Sequence, residues 1–247
     1  MKSIVKGLVT EYADEGSGPV LLMLHGWGDS HRSFDMLVHR LGGYRVIRLD
    51  LPGFGSTELP RGDWNVSDYA RFVGEFCSKI GAQPRYLLGH SFGGRISIKG
   101  LASGILSAEK LVLVGSAGVA DRPTVHTNFY TAVAKVGKLI LKPLPVSWYL
   151  NLRKELYRVT GGDYVSAGAL KETFVNVINE DLSHDAAGLS VPTLLIWGED
   201  DIVTPVSEGK KLNALIPNSE LRVLHGAGHF VHQQKAADVA ELIRKFL

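Results

Sequence analysis

The sequence predicts an α/β fold: a doubly wound, mostly parallel sheet with a helical cap insertion. Three observations predict it. Short apolar, β-rich runs alternate with segments of helical periodicity, and that alternation breaks once, between Val119 and Leu189. A serine also stands between two glycines where one apolar run passes into a helical pattern.

Taken in order, Ser3–Ala13 is the most polar β-like stretch and reads as an antiparallel edge hairpin. The runs Val20–Leu24, Tyr44–Leu49, Arg85–Leu88, Leu111–Val114, Thr193–Trp197 and Leu221–Leu224 are nearly continuous in apolar residues, as expected of strands buried on both faces. Helical periodicity falls at Phe34–Leu41, Ser67–Ile80, Phe92–Ser103, Ser207–Leu215 and Lys235–Phe246. Within Ser67–Ile80, Tyr69, Phe72, Val73, Phe76, Cys77 and Ile80 share one apolar face. Cys77 is therefore expected in the core, and as the single cysteine it forms no internal disulfide.

From Val119 to Leu189 no buried strand is expected. Helical stretches lie at Asn128–Leu141, Val146–Arg158 and Ser166–Asn179, punctuated by Pro143, Pro145, Gly161 and Gly162. The expected division is a core of residues 1–118 and 190–247 and a cap of 119–189. An insertion at the serine end of the sheet would cover a site there and exclude water. A helical extension packed elsewhere is the alternative.

Composition narrows the function classes. The 247 residues are 45% hydrophobic and 21% charged, with a net charge of +2, which is ordinary for a globular enzyme-sized domain and gives no reason to expect nucleic acid as a partner. The first residues, Met1–Gly7, lack the apolar stretch of a signal peptide, and no apolar run is long enough for a transmembrane segment. A cytoplasmic location is the default expectation.

The chemistry starts at Gly89-His90-Ser91-Phe92-Gly93. A strand-to-helix turn here would lift the Ser91 hydroxyl above the sheet edge, and the glycines leave room for the crowded turn. The plainer reading of the pentapeptide alone is a Gly-rich turn. A serine nucleophile needs a base, and the base needs an orienting acid, on loops after later strands. Gly198-Glu199-Asp200-Asp201 follows one strand and His225-Gly226-Ala227-Gly228-His229-Phe230 follows the next. Asp201 is the expected acid, with Glu199 and Asp200 as alternatives, and three adjacent acids also suit a solvated turn. His229 is the expected base, because the preceding glycines let its loop reach Ser91. The other eight histidines read as structural or solvated, and His229 and His232 find no third ligand at metal-site spacing. The backbone N–H of Phe92, at a helix N-terminus, is the first expected oxyanion donor. Trp27 in His25-Gly26-Trp27-Gly28 is the expected second, although that stretch also suits a Gly-rich β-turn. The Trp27 indole and Phe230 are expected to touch substrate.

These stretches, with Asp50-Leu51-Pro52-Gly53-Phe54-Gly55-Ser56, Trp197-Gly198-Glu199-Asp200-Asp201 and Pro205, resemble the α/β-hydrolase fold family over nearly the full length. The resemblance implies an acid at Asp201, a base at His229, oxyanion donors at Trp27 and Phe92, and a four-helix-type cap in the insertion. The family also hosts thioesterases, lactonases, C–C bond hydrolases and perhydrolases, so it leaves substrate open. Branches with an aspartate or cysteine nucleophile are incompatible with Ser91. The expected activity is cleavage of small to medium carboxylic esters through an acyl-enzyme, with no cofactor and no metal. A C–C hydrolase of the meta-cleavage-product type, with Arg153 or Arg158 holding a carboxylate, is the runner-up. A hydrolase-like ligand receptor with little turnover is the non-enzymatic alternative.

One partner expectation concerns the cap. From Arg122 to Arg158 seven basic residues (Arg122, Lys135, Lys138, Lys142, Arg153, Lys154 and Arg158) face one acid, Glu155, among apolar and aromatic residues. Such a surface would suit an acidic carrier protein or an anionic surface. Outside the cap, His25-Gly26-Trp27-Gly28 and Leu51-Pro52-Gly53-Phe54-Gly55-Ser56 also resemble motifs of carrier-protein-linked pimeloyl methyl ester esterases. The plainer reading, which carries more weight, is an ordinary solvated helix face.

Overall fold

A computed structural model describes residues 1–119 and 168–247. Eight strands form one sheet: β1 (Lys2–Val5), β2 (Leu8–Gly16), β3 (Val20–Leu24), β4 (Arg45–Leu49), β5 (Tyr86–His90), β6 (Lys110–Val114), β7 (Thr193–Gly198) and β8 (Ser219–Leu224), in the order β1-β2-β4-β3-β5-β6-β7-β8. The expected edge hairpin is present, since β1 pairs antiparallel with β2 and β2 with β4. All pairings from β4 through β8 are parallel.

Strand alternation divides the core. Leu22, Leu24, Ile47, Leu49, Leu87 and Leu113 face one side, against α2 (Val66–Lys79) and α3 (Phe92–Ala102). Leu21, Met23, Val46, Leu88, Val112 and Val114 face the other, against α1 (Asp35–Val38) and the C-terminal helix. Burial on both faces is why these strands read as continuous apolar runs. β8 departs from that expectation: its residues are partly buried or exposed, because it pairs only with β7 and forms the sheet edge.

The longest helix among the described residues, α2, owes its start to a capping box. The Asn65 side chain accepts from the Asp68 N–H at 3.0 Å, and Asp68 returns a bond to the Asn65 N–H at 3.0 Å. Of its expected apolar face, Tyr69, Phe72, Val73, Phe76 and Cys77 are buried and Ile80, at the C-cap, is partly buried; burial pushes the Cys77 thiol up to about 12. The helix expected at Phe34–Leu41 is shorter: a 3-10 turn at His31–Phe34 runs into the one-turn α1.

Of the expected cap helices, Asn128–Leu141 and Val146–Arg158 lie outside the described residues, as does the basic segment Arg122–Arg158. Within Ser166–Asn179 the described part is a 3-10 turn at Gly168–Leu170 followed by α4 (Lys171–Asn179). The Thr173 hydroxyl of α4 accepts from the Trp64 N–H at 3.0 Å, and Leu170 presses against Gly53. A short α5 (Ser183–Ala187) packs on α3 and leads to β7. The remaining helices among the described residues are α6 (Val206–Leu215), α7 (Val231–Gln234) and α8 (Ala236–Phe246). Among the described residues no helix is long and apolar enough to cross a membrane.

Candidate active site

The sheet order reverses at β3, whose two neighbours are β4 and β5. In a doubly wound sheet the crevice beyond the carboxyl ends of the strands at such a point is where ligands bind. The loop after β3 carries Gly26 and Trp27, and β5 ends one residue before Ser91.

Ser91 sits at φ 50° and ψ −109°, a conformation an L-residue adopts only under constraint. The constraint is visible in the main chain. The Ser91 N–H reaches the Val114 carbonyl of β6 at 3.1 Å, and the Ser91 carbonyl accepts from Gly94 at 3.0 Å and Ala117 at 3.3 Å. The flanking glycines are required by close approach: a Cβ on Gly93 would strike the Leu24 carbonyl, and one on Gly89 would lie 2.5 Å from the Gly93 carbonyl oxygen. Phe92 opens α3, so its N–H has no preceding helical carbonyl to bond.

Of the three adjacent acids, only Asp201 is buried and turned to a histidine. Its Oδ1 accepts from the N–H groups of Val203 and Thr204, both at 2.9 Å. Its Oδ2 lies 2.9 Å from His229 Nδ1. A carboxylate only accepts, so His229 presents an Nδ1–H to Asp201, and in the neutral ring the lone pair is then the one on Nε2. The Thr204 hydroxyl is 2.9 Å from Asp201 Oδ2 and 3.0 Å from the Gly115 carbonyl, and can donate to one of them at a time. Gly115 (φ 48°) lies under the pair, where a Cβ would stand 3.2 Å from Asp201 Oδ2 and 3.4 Å from His229 Nδ1. Glu199 instead meets His225 at 2.7 Å on the surface, and Asp200 is exposed.

The loop after β3 is held from behind. His25 is fully buried, with Nδ1 2.7 Å from the Gly26 carbonyl and Nε2 accepting from the Leu51 N–H at 2.9 Å. That pattern needs a neutral ring, and burial pushes its pKa down. Asp50 ties the neighbouring loops together, accepting from the His31 N–H at 2.7 Å, the His31 ring at 2.7 Å and the Ser56 N–H at 2.8 Å. Burial pushes its carboxyl up, but these bonds outweigh it and hold the group below its ordinary value.

Gly26 faces the serine closely enough that a Cβ there would stand 3.3 Å from Ser91 Cβ. The Trp27 ring packs on Phe54 at 4.8 Å, Phe174 of α4 at 5.0 Å and Phe92 at 5.3 Å. Phe230 lies on the other side, 42% exposed, with its ring 5.5 Å from that of His229. Ser91, Trp27, Phe92, Asp201, His229 and Phe230 are thus carried by four loops at one end of the sheet. Sequence reasoning missed Thr204, Gly115, Phe54, Phe174 and His90. Thr204 had a local signal, since Asp-x-x-Thr before a proline suits a carboxylate that accepts from the N–H groups two and three residues on. The others depend on contacts between distant segments.

Comparison with known proteins agrees with this architecture. A model of the alpha/beta hydrolase family matches residues 21–242. The 2-hydroxy-6-oxononadienedioate/2-hydroxy-6-oxononatrienedioate hydrolase of Burkholderia vietnamiensis is 27% identical over 264 residues, covering 97% of this chain and 91% of that protein. A crystallised membrane phospholipase A, described as a bacterial virulence factor, superposes with a TM-score of 0.79 at 25% identity, covering 100% of this chain and 84% of that one. An esterase from Exiguobacterium antarcticum shares the fold with a TM-score of 0.76 at 22% identity, covering 99% and 98%. The motifs, the sheet order and the family match together make this chain a member of the alpha/beta hydrolase family.

Proposed function

We propose that this protein hydrolyses carboxylic esters of small to medium acyl groups through an acyl-enzyme on Ser91. The observations that carry the reading are the buried Asp201–His229 hydrogen bond, which turns His229 Nδ1 to the acid, and the constrained strand-to-helix turn at Ser91 on the same end of the sheet. In the first step His229 Nε2 takes the Ser91 proton as Oγ bonds to the ester carbonyl carbon. The proton then passes to the leaving alcohol as the C–O bond breaks. In the second step His229 removes a proton from water, the water oxygen displaces Ser91 Oγ, and the serine regains its proton. Asp201 holds the tautomer and stabilises the imidazolium. The N–H groups of Trp27 and Phe92 receive the oxyanion, and the helix N-terminus adds to their field.

The packed rings of Trp27, Phe54, Phe92 and Phe174 support an apolar acyl site. Residues 119–189 serve as its cap in this reading. A C–C bond hydrolase is the second reading, favoured by the 27% identity with the Burkholderia enzyme. It requires a cation for the substrate carboxylate, and Arg153 and Arg158 lie outside the described residues.

The test is a burst assay with p-nitrophenyl esters of increasing acyl length, wild type beside Ser91→Ala. The expected result is a stoichiometric burst that shortens in rate as the acyl chain outgrows the aromatic wall and is absent in Ser91→Ala. Turnover retained in Ser91→Ala contradicts the mechanism. A folded wild type with no ester turnover, but with hydrolysis of a vinylogous diketone, selects the second reading.

A further inference from the structure

Three histidine rings lie together beneath the candidate site, and the chemistry above uses only His229. His90 is 1% exposed and His232 fully buried. The His90 ring is 4.8 Å from that of His229 and 4.3 Å from that of His232. Its Nε2 lies 3.1 Å from the main-chain oxygen of His229. A carbonyl oxygen only accepts, so Nε2 carries the His90 proton and Nδ1 carries none.

The other edge of His90 meets the loop after β3. Its Nδ1 is buried without a protein partner, and a Cβ on Gly26 would lie 3.0 Å from it. Burial, with His232 and His229 alongside, holds the imidazole well below the ordinary histidine range. His232 is fixed in turn: its Nε2 is 2.9 Å from Ser33 Oγ, which also accepts from Gln233 Nε2 at 2.9 Å. One buried ring therefore adjoins Ser91 through the chain, Gly26 through its Nδ1 edge and His229 through its Nε2 edge.

We propose that His90 is a positioning residue, a neutral imidazole that suspends the His229 loop from the end of β5, next to Ser91, and sets its distance from the Gly26 loop. The inference rests on the reading of Ser91 and His229 as nucleophile and base. The residue type follows from the surroundings. A leucine or phenylalanine would fill the space but take the His90 donor away from the half-buried His229 carbonyl. A lysine or arginine would bring charge beside the imidazolium that forms on His229. Neutral imidazole offers one donor towards His229 and a donor-free edge towards Gly26.

The test compares wild type with H90L and H90Q, the latter keeping a side-chain N–H donor. Ring 15N NMR of the wild type at neutral pH is expected to show His90 as the neutral Nε2–H tautomer. The downfield Nδ1–H proton signal of His229, assigned by its loss in Asp201→Asn, is expected to shift or broaden in H90L and to return in H90Q. In p-nitrophenyl ester bursts, H90L is expected to slow acylation by roughly 100-fold with KM little changed, and H90Q to recover most of the loss. Equal acylation rates in wild type and H90L overturn the proposal, as does failure of H90Q to restore more than H90L. A charged or Nδ1–H His90 in the wild type overturns it even if H90L does not fold. If wild type gives no burst while the NMR signals behave as expected, ester hydrolysis falls and the positioning role stands.

Discussion

Ser91 occupies a backbone conformation that costs of order 1–3 kcal/mol for a residue with a Cβ. The cost is sustained by the main-chain bonds to Val114 and Ala117 and by the tight glycine contacts on either side. Removing the Cβ should release part of it. Ser91→Gly is expected to be more stable than Ser91→Ala by about 1 kcal/mol in denaturant unfolding, while both lack turnover. Equal stability of the two variants would mean that the turn carries no strain. Asp201 argues for itself through a different measurement. Asn at this position cannot accept at both oxygens, so the His229 tautomer loses its anchor. Asp201→Asn is expected to lower kcat by roughly 10³–10⁴-fold with the fold retained and KM little altered, read from steady-state kinetics and circular dichroism. A loss under tenfold would remove Asp201 from the mechanism.

Elements differ in how plainly their residues announce them. The core strands were legible because burial on both faces makes them apolar throughout, and α2 because its apolar face repeats at helical spacing. β8 was legible as a strand but not as an edge, since Leu221, Val223 and Leu224 look the same whether one neighbour or two pair with them. The Ser91 turn was legible because its glycines are demanded by contacts a side chain would violate. His90 was not, because its value lies in a carbonyl 139 positions away. At the start of α6 stands Glu208, which burial pushes up to about 7, with Arg95 acting against the shift and Asp201 with it. A carboxyl raised in the folded state favours folding fully below its unfolded value near 4.5, and that contribution is lost as pH rises through about 7. Glu208→Gln is therefore expected to gain on wild type by about 1–3 kcal/mol between pH 4.5 and pH 8. A difference in stability that does not change with pH would contradict this.

At the scale of the whole molecule, one sheet sets four loops at its carboxyl end, and the strand order places the Gly26 and Ser91 loops next to each other. The positions of Ser91, Asp201 and His229 at the end of the sheet were readable because each follows a recognisable strand. Their mutual distances were not, since those come from register and from side chains such as Thr204 and His25 that brace the loops. The same logic explains the aromatic wall: Trp27, Phe54, Phe92 and Phe174 come from four separate segments that the fold alone brings together. The central claim is that Ser91 becomes acylated. It is tested most directly by intact-mass spectrometry of acid-quenched protein after mixing with p-nitrophenyl butyrate, followed by peptide mapping. The account predicts a transient mass increase of one butyryl group, located on Ser91 and absent from Ser91→Ala. Ester turnover without any adduct on Ser91, or with the adduct elsewhere, would contradict it.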